Sequence, residues 1–272
     1  AVVRMASASA AVVRLHRGAV DAAEAQQLFD ELLNGVNWRV ENDDFGPQQR
    51  QTFYCADEGC VFRYVGLKLV PNPWPTQLLL ARKKVAAAVG MPEDLFTACL
   101  LNRYDDNEGS IGWHYDEVRA HGEARAIATL SLGSSREFHL RRRQNISAAV
   151  SGHCDGSTSR KDSLADSRWA PPVSLASHGG QPVTVDDAGL TKLMLDAGDV
   201  LLMAGSAQEL YEHALPLREG DGCRISLTFR SIEKGFEDAL GEHARDPCTE
   251  PERARARSRA PPRPVDDGIA ST

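Results

Sequence analysis

The spacing of apolar residues changes along this chain, and each change marks an element. Ala11-Val-Val-Arg-Leu15 alternates as a first strand. Asp21 with Glu24 three residues on has the form of a capping box. Leu28, Phe29, Leu32 and Leu33 then make one helical stripe, which Gly35 ends. A second helix is predicted over 76–89, entered from Pro71-Asn-Pro-Trp-Pro75 and left at Gly90. Between the helices, 51–54 and 61–70 read as strands around an Asp57-Glu-Gly turn. Beyond Gly90 the pattern is β-rich, over 97–104, 125–132, 136–143, 193–196, 200–204 and 224–231. Many short strands separated by turns predict a mainly β fold with flanking helices, a sandwich or barrel-like roll.

Two stretches have no period. Residues 144–190 mix Ser, Gly, Ala and Asp and are predicted as an insertion or disordered loop. Residues 236–272 carry Arg253, Arg255, Arg257 and Arg259 among Pro and Ala and are predicted as a disordered basic tail. With residues 1–10 as a short N-terminal tail, 11–235 is predicted as one domain. The 272 residues and 42% hydrophobic content suffice for one core.

Composition narrows the chemistry. A net charge of -7 excludes a generally basic, nucleic-acid-coating protein but leaves room for a local basic stripe. Six cysteines include no CxxC pair, which argues against a zinc knuckle or thioredoxin-like motif and for a reducing compartment. No apolar run is long enough to predict a spanning helix. Arg4, Arg14 and Arg17, with no acid before Asp21, form an organelle-targeting pattern or the flanks of a first strand.

Candidate chemistry lies in Ile111-Gly-Trp-His114-Tyr-Asp116-Glu117, Glu212-His213-Ala and Arg224-Ile-Ser-Leu-Thr-Phe-Arg230. Two histidines and one carboxylate are the ligand set of a non-haem Fe(II) oxygenase that keeps open positions on the metal. Residues two apart on an extended strand share a face, so His114 and Asp116 can point at one ion, with His213 brought in by the fold. An isolated His-x-Asp pair also arises by chance. His16, His121, His139, His153, His178 and His243 have no comparable flanks and read as surface or loop residues.

Gly220-Asp-Gly222 lies between His213 and Arg224 and suggests a hairpin that returns Arg224 beside His213. There a guanidinium would clamp a carboxylate through paired hydrogen bonds. Arg224, Ser226, Thr228 and Arg230 share one face of the strand, and Ile225, Leu227 and Phe229 the other. Two inward arginines are costly unless an anion is present. Periodicity alone leaves open which face is inward.

Jointly these residues resemble the AlkB family of Fe(II)- and 2-oxoglutarate-dependent dioxygenases. Leu101-Asn102-Arg-Tyr104-Asp before the His114 segment, Ala128-Thr-Leu-Ser-Leu-Gly133 before Arg136-Glu-Phe-His, and Gly198-Asp-Val-Leu-Leu-Met203 before His213 carry the likeness. Gln51-Thr-Phe-Tyr54 and Pro71-Asn-Pro-Trp74 are most similar to its nucleic-acid repair (DNA demethylase) branch. The resemblance implies a double-stranded β-helix, or jelly roll. It implies Fe(II) on His114, Asp116 and His213, and 2-oxoglutarate held by Asn102, Tyr104, Arg224, Ser226 and Arg230, with O2 as the other co-substrate. Arg224 and the Tyr104 hydroxyl would take the distal carboxylate, and Arg230 and Asn102 the end that chelates iron. Ser226 stands where the family often has Asn.

The implied reaction is oxidative demethylation of an N-alkylated base in DNA or RNA, that is, direct-reversal alkylation repair. Such a base must be flipped or unpaired to reach the site. The resemblance places Tyr54, Phe62 and Tyr64 at the pocket mouth as stacking partners, and core packing is the competing reading of all three. Arg136, Arg141 and Arg143, with Arg142, form a basic cluster suited to phosphates, against the alternative of a solvated strand face. Glu117 is acidic, but the position two past Asp116, often acidic in the repair branch, is Val118. That departure keeps a second substrate reading open: the same oxidation on a protein, a lipid or a tRNA modification. The expected setting is intracellular, in the nucleus or an organelle, as a monomer without a membrane partner.

Overall fold

The computed structural model describes residues 11–105, 109–116, 125–143, 180–186, 189–217 and 222–235. Its elements in chain order are β1 (Val12–His16), α1 (Ala22–Gly35), β2 (Asn42–Asp43), β3 (Gly46–Pro47), β4 (Gln51–Ala56), β5 (Phe62–Tyr64), β6 (Leu67–Leu69) and α2 (Thr76–Val89). There follow β7 (Ala98–Tyr104), β8 (Ile111–His114), β9 (Ile127–Gly133), β10 (Arg136–Arg142), β11 (Gln181–Pro182), β12 (Thr191–Leu195), β13 (Val200–Ala204), α3 (Ala207–Leu210), β14 (Tyr211–Leu215) and β15 (Arg224–Arg230).

A seven-stranded major sheet runs β11-β1-β13-β9-β15-β7-β4, and a four-stranded minor sheet runs β12-β10-β14-β8. All their pairings are antiparallel. The fold is the jelly roll that the resemblance implies, mainly β with helices flanking the major sheet.

The first helix falls where its apolar stripe predicts, and the second where its proline entry and glycine exit predict. Asp21 caps α1 by accepting from Ala23 N at 2.9 Å. Glu24 does not complete a capping box: it takes Lys84 of α2 at 2.8 Å, tying the two helices together. Gly90 ends α2 with φ 66°, a left-handed cap that releases the chain toward β7. Leu32 of α1 and Leu78 and Val85 of α2 are fully buried with Leu101, Leu130, Leu227 and Phe229 from the outer face of the major sheet. Truncating a residue such as Phe229 to Ala costs about 3–5 kcal/mol.

β15 settles which face is inward. Ile225, Leu227 and Phe229 belong to this helix-facing core. Arg224, Ser226, Thr228 and Arg230 take the other face and are also buried. Cross-strand register sets Arg224 opposite Tyr104 and Gly133, and Ser226 opposite Asn102 and Ser131. This polar strip has an apolar cluster on each side. Val13, Leu15, Leu201 and Met203 pack with Phe138 and Leu140 of the minor sheet. Tyr54, Leu100 and Phe62 form the other cluster.

Three expectations are corrected. His213 and Arg224 do not form a hairpin: β14 pairs with β10 and β8, while β15 pairs with β7 and β9. β14 belongs to the minor sheet and β15 to the major one, and period-two patterning cannot distinguish a change of sheet from a turn. The 61–70 stretch is two short strands, β5 and β6, folded on each other at Val65-Gly66. The end of the predicted insertion is already sheet, because Gln181–Pro182 pairs with β1 and Val185 is buried. The remaining insertion, 144–179, and both tails lie outside the described residues.

Candidate functional site

His114 and His213 stand directly opposite each other on β8 and β14. Their ring centroids are 4.2 Å apart. β8 ends at His114, and Asp116 follows two residues on, so the pair shares a direction without sharing a strand. Asp116 is held by its backbone: its N–H donates to Gln208 Oε1 at 3.0 Å, and Gln208 is buried at the start of α3. The Asp116 carboxylate faces His213 through Oδ2, 3.9 Å from Nε2. Its Oδ1 accepts from Arg230 Nη1 at 3.3 Å.

His114 Nδ1 lies 2.8 Å from the carbonyl of Gly112. Donation there selects the tautomer with its lone pair on Nε2, the nitrogen a metal would take. His213 is buried and its ring stacks on Phe138 at 5.3 Å. The three candidate ligands therefore converge from two strands and one strand exit. Among the described residues, however, no three such side chains close into a ready cage. The Asp116 carboxylate divides its oxygens between an imidazole and a guanidinium.

The candidate clamp lies along β15, whose Arg230 touches Asp116 and whose Arg224 is six residues away on the same face. Arg224 is 2% exposed, donates to Ser131 Oγ at 3.0 Å and lies 5.5 Å from the Tyr104 ring. Its Nε has no hydrogen-bond partner, and neither has the Nε of Arg230. Burial pushes the Arg224 pKa down to about 10; Tyr104 opposes the shift and Arg136 adds to it. At neutral pH Arg224 remains a cation. A buried guanidinium with an unmet N–H costs free energy that an anion would return. The donor set thus fits a metal with a dicarboxylate beside it: two imidazoles and a carboxylate, then two buried guanidiniums, a phenol and an amide on the next sheet.

The expected substrate residues fare unevenly. Tyr54 is 3% exposed and donates to Cys60 O at 2.6 Å, with burial pushing its hydroxyl pKa up. Phe62 is equally buried and lies 4.6 Å below the Arg230 guanidinium. Both are packing residues in this structure, not free stacking faces. Tyr64 is half-buried, stacks on Phe62 at 5.3 Å and shares a hydrogen bond with Gln48. Glu117 and Val118 lie outside the described residues.

The basic cluster is also divided. Arg136 is 2% exposed and donates to the carbonyls of Gly109 and Pro216, so it straps two loops together and cannot reach a phosphate outside. Arg141 pairs with Glu212 and covers the Trp113 ring at 4.0 Å. Arg143 covers the Tyr115 ring at 3.5 Å and donates to Gln208 O at 3.2 Å. His16, expected at the surface, is buried on β1. His139 is half-buried against Glu137. His121, His153, His178 and His243 are outside the described residues.

Sequence reasoning missed Gln208, Ser131, Phe138 and Arg50, whose Nε donates to Asn102 Oδ1 at 2.8 Å. Ser131 and Phe138 lie within segments that carry the resemblance but have no role assigned there, Gln208 and Arg50 lie in none, and the folded structure connects all four to the site.

A family model described as the 2OG-Fe(II) oxygenase superfamily matches residues 12–230. Curated relatives include alpha-ketoglutarate-dependent dioxygenase alkB homolog 3 of Bos taurus, 26% identical over 232 residues, covering 83% of this chain and 67% of the relative. DNA oxidative demethylase ALKBH2 of Bos taurus is 28% identical over 222 residues, 77% of this chain and 65% of the relative. The chain thus spans about two thirds of these relatives. The solved structure titled "The structure of OsALKBH1" aligns with a TM-score of 0.50 at 13% identity, over 82% of this chain and 98% of that one, a likeness of fold.

Proposed function

The chain belongs to the 2OG-Fe(II) oxygenase superfamily, among the AlkB homologues, and from that premise we propose that it removes methyl groups oxidatively from N-alkylated bases of DNA, with RNA as the second polymer to test. The observation that carries the reading is the pair of buried guanidiniums with unmet Nε–H groups, Arg224 and Arg230, beside the converging His114, Asp116 and His213.

In this proposal His114, Asp116 and His213 hold Fe(II). Arg224 and Tyr104 bind the far carboxylate of 2-oxoglutarate, with Arg230, Asn102 and Ser226 at the near end. Iron with 2-oxoglutarate and O2 supplies hydroxylation of an N-methyl C–H bond, after which the base loses formaldehyde. The chain's own part is placement. Gln208 fixes the Asp116 backbone, Gly112 fixes the His114 tautomer, and the clusters around Phe138 and Phe62 keep water from the polar strip. Of the three expected stacking residues Tyr64 is the one that remains for a base, and Arg143 is a cation over the Tyr115 ring next to Asp116. The compartment to test first is the nucleus.

The test is a panel of methylated single- and double-stranded DNA and RNA oligonucleotides, incubated with Fe(II), 2-oxoglutarate and O2 and read by mass spectrometry. Loss of a CH2 mass from the base, with matching formaldehyde and succinate, is expected. Burial of Tyr54, Phe62 and Arg136 removes part of the expected nucleic-acid face. That observation favours the second reading, the same oxidation on a protein, a lipid or a tRNA modification. No base repair on any oligonucleotide, with 2-oxoglutarate consumed on one of those substrates, would establish it instead.

A further inference from the structure

We infer that Arg50 sets the orientation of the Asn102 amide, and so decides that the co-substrate meets an N–H donor rather than an oxygen. The inference rests on the co-substrate reading above. Asn102 lies opposite Ser226 and Thr52, on the buried polar strip shared with Arg224 and Arg230. A primary amide has an acceptor at one end and two donors at the other, and the ends are nearly the same size. Turning it over therefore changes the chemistry of the pocket without changing its shape.

Arg50 removes that freedom. A guanidinium only donates, and Arg50 Nε is 2.8 Å from Asn102 Oδ1. The amide nitrogen is thereby committed to the opposite side. A carboxylate or keto oxygen only accepts, so the fixed orientation suits an anion and the reversed one repels it. Ser226 and Ser131 on the same strip are hydroxyls that rotate, and they cannot impose such a choice. Both neighbours of Arg50 are pinned. Gln51 Nε2 donates to Asp105 at 2.9 Å, and Ser110 Oγ donates to Gln49 Oε1 at 2.6 Å. The chain that carries Arg50, at the bend that enters β4, is thus held on both sides, so Arg50 is a positioning residue acting through Asn102.

The test is calorimetric binding of 2-oxoglutarate to the full chain loaded with Mn(II), with Mn(II) affinity measured separately. Arg50→Met should weaken 2-oxoglutarate binding about tenfold, the worth of one hydrogen bond to a charged group. Arg50→Lys, which can still donate, should stay within about threefold of the parent. Asn102→Asp keeps the Arg50 contact but offers only oxygen, and should bind as poorly as Asn102→Ala. Arg50→Met added to Asn102→Ala should change binding by less than about twofold, because the two act as one unit. Mn(II) affinity should be the same in all variants.

Unchanged binding in Arg50→Met or Asn102→Asp, or parallel loss of Mn(II), overturns the role of Arg50 while leaving the co-substrate reading in place. A parent protein that binds Mn(II) but no 2-oxoglutarate overturns both.

Discussion

At the scale of single residues, Arg224 exposes a conflict between stability and function. A cation 2% exposed, hydrogen-bonded through one nitrogen to Ser131 and unmet at another, weakens the fold that contains it. Arg224→Met should therefore raise the melting temperature measured without co-substrate, by about 1–4 kcal/mol of stability, while raising the 2-oxoglutarate requirement about a hundredfold. A lower melting point would show the arginine to be a structural element instead. For the proposed iron ligands the expectation is opposite in kind. His114→Ala and Asp116→Ala should abolish turnover with little change in circular dichroism, and retained demethylation would refute the metal assignment. Gln208→Leu leaves every proposed ligand in place but takes the acceptor from Asp116 N–H. Metal affinity, read by anaerobic titration, should fall about 10–100-fold.

Elements show why part of this was legible in the sequence and part was not. Both helices and β10 follow from period and punctuation, and β7, β13 and β15, buried on both faces, from short apolar or alternating runs bounded by turns. The register between strands does not follow, and the site is made of register. That His114 faces His213, that Ser226 faces Asn102, and that Arg136 turns inward to Gly109 and Pro216 depend on pairings distant in sequence. The β5–β6 hairpin is a further case. Val65 sits at φ 44°, left-handed backbone that a β-branched residue rarely adopts, and its carbonyl accepts from Asp44 N at 3.3 Å. Gly66 has φ 75°, where an L side chain is strained, and an added Cβ would also have to displace the exposed Asp44 carboxylate, 2.2 Å away. The β2–β3 turn thus locks the tip that carries Tyr64. Val65→Gly should relieve about 1 kcal/mol of strain, whereas Gly66→Ala should loosen the hairpin. Faster amide exchange confined to 62–69 in Gly66→Ala would register that loosening, and unchanged exchange would contradict the lock.

For the whole molecule, thiol chemistry offers a check on packing. Cys55 and Cys99 are fully buried, and burial pushes the Cys55 thiol up to about 12 and Cys99 well above its ordinary value. Both should resist iodoacetamide at neutral pH until the major sheet unfolds; early labelling of either would mean a looser core than described. No helix among the described residues is long and apolar enough to cross a membrane. The crossover between β14 and β15 has the widest consequence. It leaves the two histidines on the minor sheet and the paired guanidiniums on the major one. Arg230 Nη1, 3.3 Å from Asp116 Oδ1, is a joint between those two walls, so a shift of one sheet against the other would be felt at that carboxylate.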